Sequence, residues 1–298
     1  MEVIEGSSVI LFFIDGLGIG DDDPQNPLAR FSGMEPLAYF KGRPAEPYLD
    51  GVMKPTDPRL GVDGRPQSAS GQTAILTGVN APQRLGYHKQ GFPNGELREI
   101  ISENSIFLRL SAAGVGPAVF ANAYTPGFFT EPQRWKSATT CAVEAAGLPF
   151  RKLPDLIGRK ALFHDFTNQS LRERGFDVPL FSPAGAAAVL ADFSRRCRFT
   201  LYEYFITDKI GHAQDFTAAG IHLPPLAEFI RETLKLIDLE KTTFILTSDH
   251  GNIEDLSVRN HTLNDVPTVI WGRGKMETAA RIADLTDIAP AIIDLLTK

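Results

Sequence analysis

Residues Val9 to Ile14 read Val-Ile-Leu-Phe-Phe-Ile, six apolar side chains with no polar alternation. Successive side chains on a strand point to opposite faces, so such a run is stable only where both faces are covered. It predicts a central strand in a sheet held between helices. Further short runs at Gly116 to Ala121, Phe199 to Ile206, Thr243 to Thr247 and Pro267 to Trp271 predict additional strands. Between them, Ser105 to Ala113, Ala186 to Arg196, Leu226 to Ile237 and Ile288 to Leu296 place apolar residues three and four apart, which predicts helices. This rhythm predicts an α/β fold: a doubly wound, mostly parallel sheet with helices on both faces, forming a single domain over residues 1–298. In such folds ligands bind beyond the carboxyl ends of the strands. Pro55 to Arg65 and Pro82 to Gly95 are rich in Gly and Pro and predict loops. Thr125 to Pro183 is irregular apart from a helical pattern near Ala138 to Ala146, and is expected to be a short lid-like insertion.

Composition removes several alternatives. With 43% hydrophobic and 22% charged residues the chain can bury a core, so intrinsic disorder is excluded. The net charge of −6, with no long Lys/Arg cluster, argues against a nucleic-acid partner. Cys141 and Cys197 form no CxxC motif, so neither a disulfide framework nor a thiolate zinc site is expected, and a reducing, cytoplasmic setting fits. The apolar run at Val9 follows glutamates and is too short to span a bilayer, so no membrane association is expected.

Hard and borderline metal ligands gather just after the strands. Asp15 follows the first, in Asp15-Gly16-Leu17-Gly18. Asp208 and His212 follow the strand ending near Ile206, Asp249 and His250 follow the one ending at Thr247, and His261 lies on the next loop. Asp15 taken singly is an ordinary turn residue, and Asp208 and His212 read as solvated loop residues, whereas the adjacent Asp249-His250 pair at a strand end is costly without a partner. In a parallel sheet, however, those ends open onto one edge, so three Asp and three His converge on one crevice. Mixed imidazole and carboxylate donors suit zinc, manganese or iron better than magnesium or calcium. Six such ligands exceed the needs of one four-coordinate ion and predict a pair of divalent transition-metal ions, Mn2+ or Zn2+, as used in in-line phosphoryl transfer.

A nucleophile for that chemistry belongs at a helix start, where free backbone N–H groups favour a phosphate anion. Gln67 to Gly78 has this character: small residues, a short helical run, then glycine. Ser68, Ser70 and Thr73 are the candidates, and spacing alone does not choose among them.

Together these motifs resemble the alkaline phosphatase superfamily, most closely the branch of cofactor-independent phosphoglycerate mutase and phosphopentomutase. Thr247-Ser248-Asp249-His250-Gly251-Asn252-Ile253-Glu254 resembles its Asp-His-Gly-Asn signature. Asp208 to His212 resembles its Asp-x-x-x-His element, and Leu285 to Pro290 its C-terminal helix entry. The resemblance implies one metal held by Asp15, Asp249, His250 and the nucleophile, and another held by Asp208, His212 and His261. Its register implies Ser68 as a nucleophile that becomes phosphorylated, with Ser70 as the fallback.

Two departures shape the functional expectation. Where the branch commonly has His after the glycine that is here Gly71, this chain has Gln72, predicting a changed contact on the substrate side. The branch's large cap domain would sit between the nucleophile helix and the next core helix, but here that interval, Val79 to Glu103, is only 25 residues. Without a cap to exclude water, hydrolysis is favoured over a mutase reaction. The expectation is a phosphate-ester hydrolase acting on a small phosphorylated substrate, with a phosphomutase as the alternative and a catalytically silent metal-binding protein as the second. A sulfatase is disfavoured, because Ala69-Ser70-Gly71-Gln72 lacks that family's x-Pro-x-Arg. Arg134, Lys136, Arg151, Lys152, Arg159 and Lys160 are possible anion clamps or plain surface charges, and none is assigned; Lys209, between two proposed ligands, also has no assigned role.

Overall fold

The computed structural model describes residues 4–131 and 133–298. In chain order the strands are β1 (Ser8–Ile14), β2 (Val52–Thr56), β3 (Ala118–Phe120), β4 (Ala123–Tyr124), β5 (Arg151–Lys152), β6 (Phe199–Tyr204), β7 (Thr242–Ser248) and β8 (Val266–Gly272). Six form one sheet in the order β2-β8-β7-β1-β6-β3. The four from β7 to β3 run parallel, whereas β8 is antiparallel to β7 and β2 to β8. The fold is thus α/β with a mostly parallel sheet, and β1 is central as its unbroken apolar run requires.

Strand alternation sorts β1 between two cores. Ile10, Phe12 and Ile14 face one layer, where Phe12 packs against Tyr202, Phe229 and Phe244 beneath the helices Pro183–Arg196 and Phe216–Leu236. Val9, Leu11 and Phe13 face the other, under the helices Ser68–Thr77, Ile106–Ala112, Ala138–Ala145 and Ile288–Thr297.

Several local expectations are corrected. Pro55 belongs to edge strand β2, where it faces Pro267 and no ladder donor is needed from either. Pro82 lies in a short helix, Ala81–Leu85, capped by Asn80 accepting from the Gln83 N–H at 3.0 Å. The long helix begins at Phe216, not Leu226, and runs through Pro224 and Pro225. Asp215 caps its start, accepting from the Ala218 N–H at 2.9 Å. The carbonyls that the prolines leave without intrahelical donors belong to Gly220 and Ile221, and Ile221 is 63% exposed, on the solvent side of the helix.

The stretch from Thr125 to Pro183 is of mixed character. Its helix Ala138–Ala145 is core, with Ala138, Ala142 and Val143 buried under the sheet. The remainder carries its own small cluster, including Leu156, Phe163 and Leu171, beside the two-stranded β4–β5 pair. Between Val79 and Glu103 the chain forms only the short Ala81–Leu85 helix, a connecting loop and most of the helix Gly95–Asn104. No helix among the described residues is long and apolar enough to cross a membrane, and both cysteines are free thiols.

Candidate metal centre and nucleophile

Asp15 leaves the carboxyl end of β1, where Gly16 at φ +77° turns the chain sharply. Asp208 and His212 are not loop residues: they lie four apart on the helix Ile206–Ala213, so one face presents both. Asp249 and His250 follow β7 and are fully buried. His261 reaches the same rim because β8 is antiparallel: the chain leaves the carboxyl end of β7 and re-enters the sheet from that edge.

The structure brings all seven proposed residues to this edge. His250 Nε2 stands 3.0 Å from Ser68 Oγ, 3.3 Å from Asp15 Oδ1 and 3.5 Å from Asp249 Oδ2. Asp208 lies 3.4 Å from both His212 Nε2 and His261 Nε2, and the His250 and His261 rings stack at 3.6 Å. Two ligand groups emerge, with donor atoms within 4.8 Å of one another: Asp208, His212 and His261, and Asp15, Asp208 and His250. The first coincides with one expected set. The second shares Asp208 and does not include Asp249, whose Oδ2 lies 3.5 Å from His250 Nε2.

Geometry also separates the candidate nucleophiles. Ser70 is buried and donates to the Gln67 carbonyl at 3.2 Å, and Thr73 is buried and donates to the Ala69 carbonyl at 2.6 Å. Ser68 is half-buried, begins its helix and borders the cleft. Gln67, before it, supplies no side-chain cap, which leaves that helix end suited to an anion.

The donor set fits divalent cations. His261 Nδ1 donates to the Pro66 carbonyl and His212 Nδ1 to the Arg259 carbonyl, both at 2.8 Å. In the neutral rings this leaves both Nε2 lone pairs facing each other across 3.1 Å, which is repulsive unless a proton or a cation lies between them. Asp15 Oδ1 is buried without a hydrogen-bond donor. Burial, reinforced by the charge of Asp249, pushes the Asp15 carboxyl well up, and burial likewise raises Asp249. Burial alone would lower His250, but the carboxylates of Asp249 and Asp15 raise it strongly. Burial opposes ionisation of Asp208 too, yet contact with His261 and the charge of His250 hold it below the usual carboxylate range. Such opposed shifts mark a cluster that keeps protons where cations would otherwise balance its charge.

Four supporting residues carry no sequence assignment. Gln72 Nε2 donates to Asp15 Oδ2 and to Asp249 Oδ2, each at 3.1 Å, so the Gln at this position, which also borders the cleft, holds ligand carboxylates. Asn252 donates to Asp208 Oδ1 at 2.7 Å. Arg65 donates to the His261 carbonyl at 2.6 Å. Glu254, buried, accepts from the N–H groups of Gly18 and Asn252 and from the side chains of Thr262 and Asn264, tying the loop after β1 to the β7–β8 connection. The quoted motif contained Asn252 and Glu254, but nothing in one sequence tells a structural acid from a ligand. Of the basic residues between Thr125 and Pro183, Arg174 borders the cleft, whereas the six considered as clamps do not.

Carboxylates and imidazoles gathered at the strand ends of such a sheet define a candidate metal centre. Residues 184–297 match the sequence profile described as the Metalloenzyme superfamily. A 2,3-bisphosphoglycerate-independent phosphoglycerate mutase of Desulforudis audaxviator is 29% identical over 102 residues, and one of Antithamnion sp. 32% identical over 107. These matches cover 32% and 33% of this chain but only 20% and 21% of the mutases, so the chain spans about a fifth of their length. Among solved structures, the PH0037 protein of Pyrococcus horikoshii is similar with a TM-score of 0.57 at 13% identity, covering 98% of both chains. A cold-active alkaline phosphatase of a Shewanella species is similar at 0.52 and 12%, covering 98% of this chain and 100% of that one.

Proposed function

We propose that this chain is a two-metal phosphate-ester hydrolase working through a phosphoserine at Ser68. Asp208, His212 and His261 would hold one divalent ion, and Asp15, Asp249, His250 and Ser68 the other. Bound Mn2+ or Zn2+ would supply positive charge for the phosphoryl oxygens and lower the proton affinity of the nucleophile. The observation that carries this reading is Ser68 Oγ at the mouth of a cluster of three imidazoles and three carboxylates, 3.0 Å from His250 Nε2.

In the first step the Ser68 Oγ–P bond forms as the ester's P–O bond breaks, the serine proton is lost and the departing alkoxide gains one. In the second, water attacks phosphorus, the Oγ–P bond breaks, Ser68 regains its proton and inorganic phosphate leaves. The short Val79 to Glu103 interval supports water as acceptor, since it forms no separate cap over Ser68. The second reading, a phosphomutase, draws on the curated relatives, and the products decide: free phosphate against an isomerised ester. The free thiols fit a cytoplasmic setting. Ser68→Ala is expected to keep its metals, read by elemental analysis, and to lose phosphatase activity at least about a thousandfold, as covalent nucleophiles do. Unchanged turnover would move the nucleophile elsewhere, and a purified protein that takes up less than one metal ion would favour the silent reading.

A further inference from the structure

Ser68, Asp15 and Asp208 occupy only one end of a cleft of about 530 Å3. Six aromatic side chains, Phe92, Phe120, Tyr124, Phe128, Phe163 and Phe205, make up much of its apolar wall. These rings brace one another. Phe128 lies 4.4 Å from Tyr124 and 5.5 Å from Phe150, and the His164 ring sits 4.0 Å from both Phe163 and Phe205. At the rim, Phe92 stacks on Trp135 at 6.1 Å, and both are exposed. Aromatic faces left open to water beside a polar centre are unfavourable by themselves and gain when a flat apolar group covers them.

The polar groups of the cleft sharpen the choice. Glu203 is buried; its Oε2 accepts from Thr139 Oγ1 at 2.5 Å, and its backbone is gripped from both sides by Asn122. A buried acid in the cleft disfavours a second carboxylate beside it. Arg174 and Lys209 are exposed, form no ion pair among the described residues and suit the incoming phosphate dianion, with Lys209 lying over the Phe205 ring at 4.5 Å. A phosphoglycerate, small and bearing its own carboxylate, would leave the aromatic wall bare.

We propose that the aromatic-walled cleft is a leaving-group subsite, and that the ester's alcohol carries a planar aromatic ring that lies against Phe128 and Tyr124. The phosphate end of this assignment rests on the hydrolase reading above; the ring end rests on the cleft alone.

The test compares 2-naphthylmethyl phosphate, glycerol 3-phosphate and 3-phosphoglycerate on the manganese-loaded protein. The first two release similarly basic alkoxides, so their ratio reads recognition and not leaving-group chemistry. We expect kcat/KM at least about tenfold higher for the naphthylmethyl ester, and Phe128→Ala to reduce that preference by about the same factor. In parallel, calorimetry with 2-naphthylmethanol on the unsubstituted protein, with and without chelator, needs neither a variant nor turnover, and a Kd below about 1 mM is expected. If the alcohol binds but no ester is cleaved, the hydrolase reading falls and the aromatic subsite stands. If phosphate is released but glycerol 3-phosphate or 3-phosphoglycerate is preferred, or if the alcohol does not bind, the subsite is overturned and hydrolysis stands.

Discussion

Gln72 shows how one side chain sets the geometry of a charged site. Its amide nitrogen donates to Asp15 and Asp249 together and holds apart two buried carboxylates that would otherwise repel. Gln72→Ala is therefore expected to weaken divalent-metal binding about tenfold to a hundredfold, the usual cost of losing a ligand's supporting hydrogen bond, as titration calorimetry would show. An unaltered affinity would make the contact incidental. Glu203 offers a test by pH. Burial pushes its carboxyl up to about 7, against the lowering effect of Thr139. The folded state then binds this proton more tightly than the unfolded chain, so its contribution to stability is full below about pH 4.5 and is lost as pH rises through about 7. The loss amounts to roughly 3 kcal/mol. Urea denaturation of chelated protein at pH 5 and pH 8 should show wild type losing more stability than Glu203→Gln; equal losses would mean that Glu203 is ionised without penalty. At this scale the sequence displayed ligand types well, because carboxylates and imidazoles after strands carry their chemistry in their identity. It marked Gln72 as a departure without showing the bridge that residue makes between Asp15 and Asp249, and it was silent on Glu203, whose role comes only from burial and from what it faces.

Among elements, the segments with strict periodicity were legible and the connections were not. The all-apolar β1 and the helix Ile288–Thr297 lie where their patterns place them. By contrast, β8 reads as one more parallel strand, because a single strand carries no mark of direction. That direction is what returns His261 to the rim. The helix Ile206–Ala213 was hidden for another reason: its eight residues are too few for periodicity to stand out from a loop. The connection from β7 to β8 is held to the loop after β1 by Glu254, whose two oxygens accept four hydrogen bonds. Glu254→Gln keeps the shape but turns one acceptor into a donor facing donors. It should cost about 2–3 kcal/mol in denaturant unfolding, within the range for lost bonds to a buried charge, and should reduce metal affinity as the loops loosen. A variant as stable as wild type would show that the loops hold their places without it.

For the molecule as a whole, the convergence of Asp15, Ser68, Asp208, His212, Asp249, His250 and His261 was readable because topology alone sends strand ends to one edge. The aromatic cleft was not: its walls come from positions as distant as Phe92, Tyr124 and Phe205, whose rings look in sequence like any other core residues. By the same convergence a bound divalent ion would be a structural partner as well as a chemical one. Three carboxylates and three imidazoles are packed closely here, and ligands distributed from residue 15 to residue 261 exist as a set only in the folded chain. A cation that binds the native state alone stabilises it by about 4 kcal/mol at a thousandfold excess over its Kd. Thermal melts with chelator and with increasing Mn2+ or Zn2+ should therefore show a melting temperature that climbs with the logarithm of metal concentration. Ser68→Ala should keep most of that shift, since six of the seven donors remain, whereas His261→Ala, which removes a buried imidazole from one trio, should lose a large part of it. A melting temperature indifferent to metal in the wild-type protein would mean that the cluster is satisfied by protons, and the two-metal assignment would fail with it.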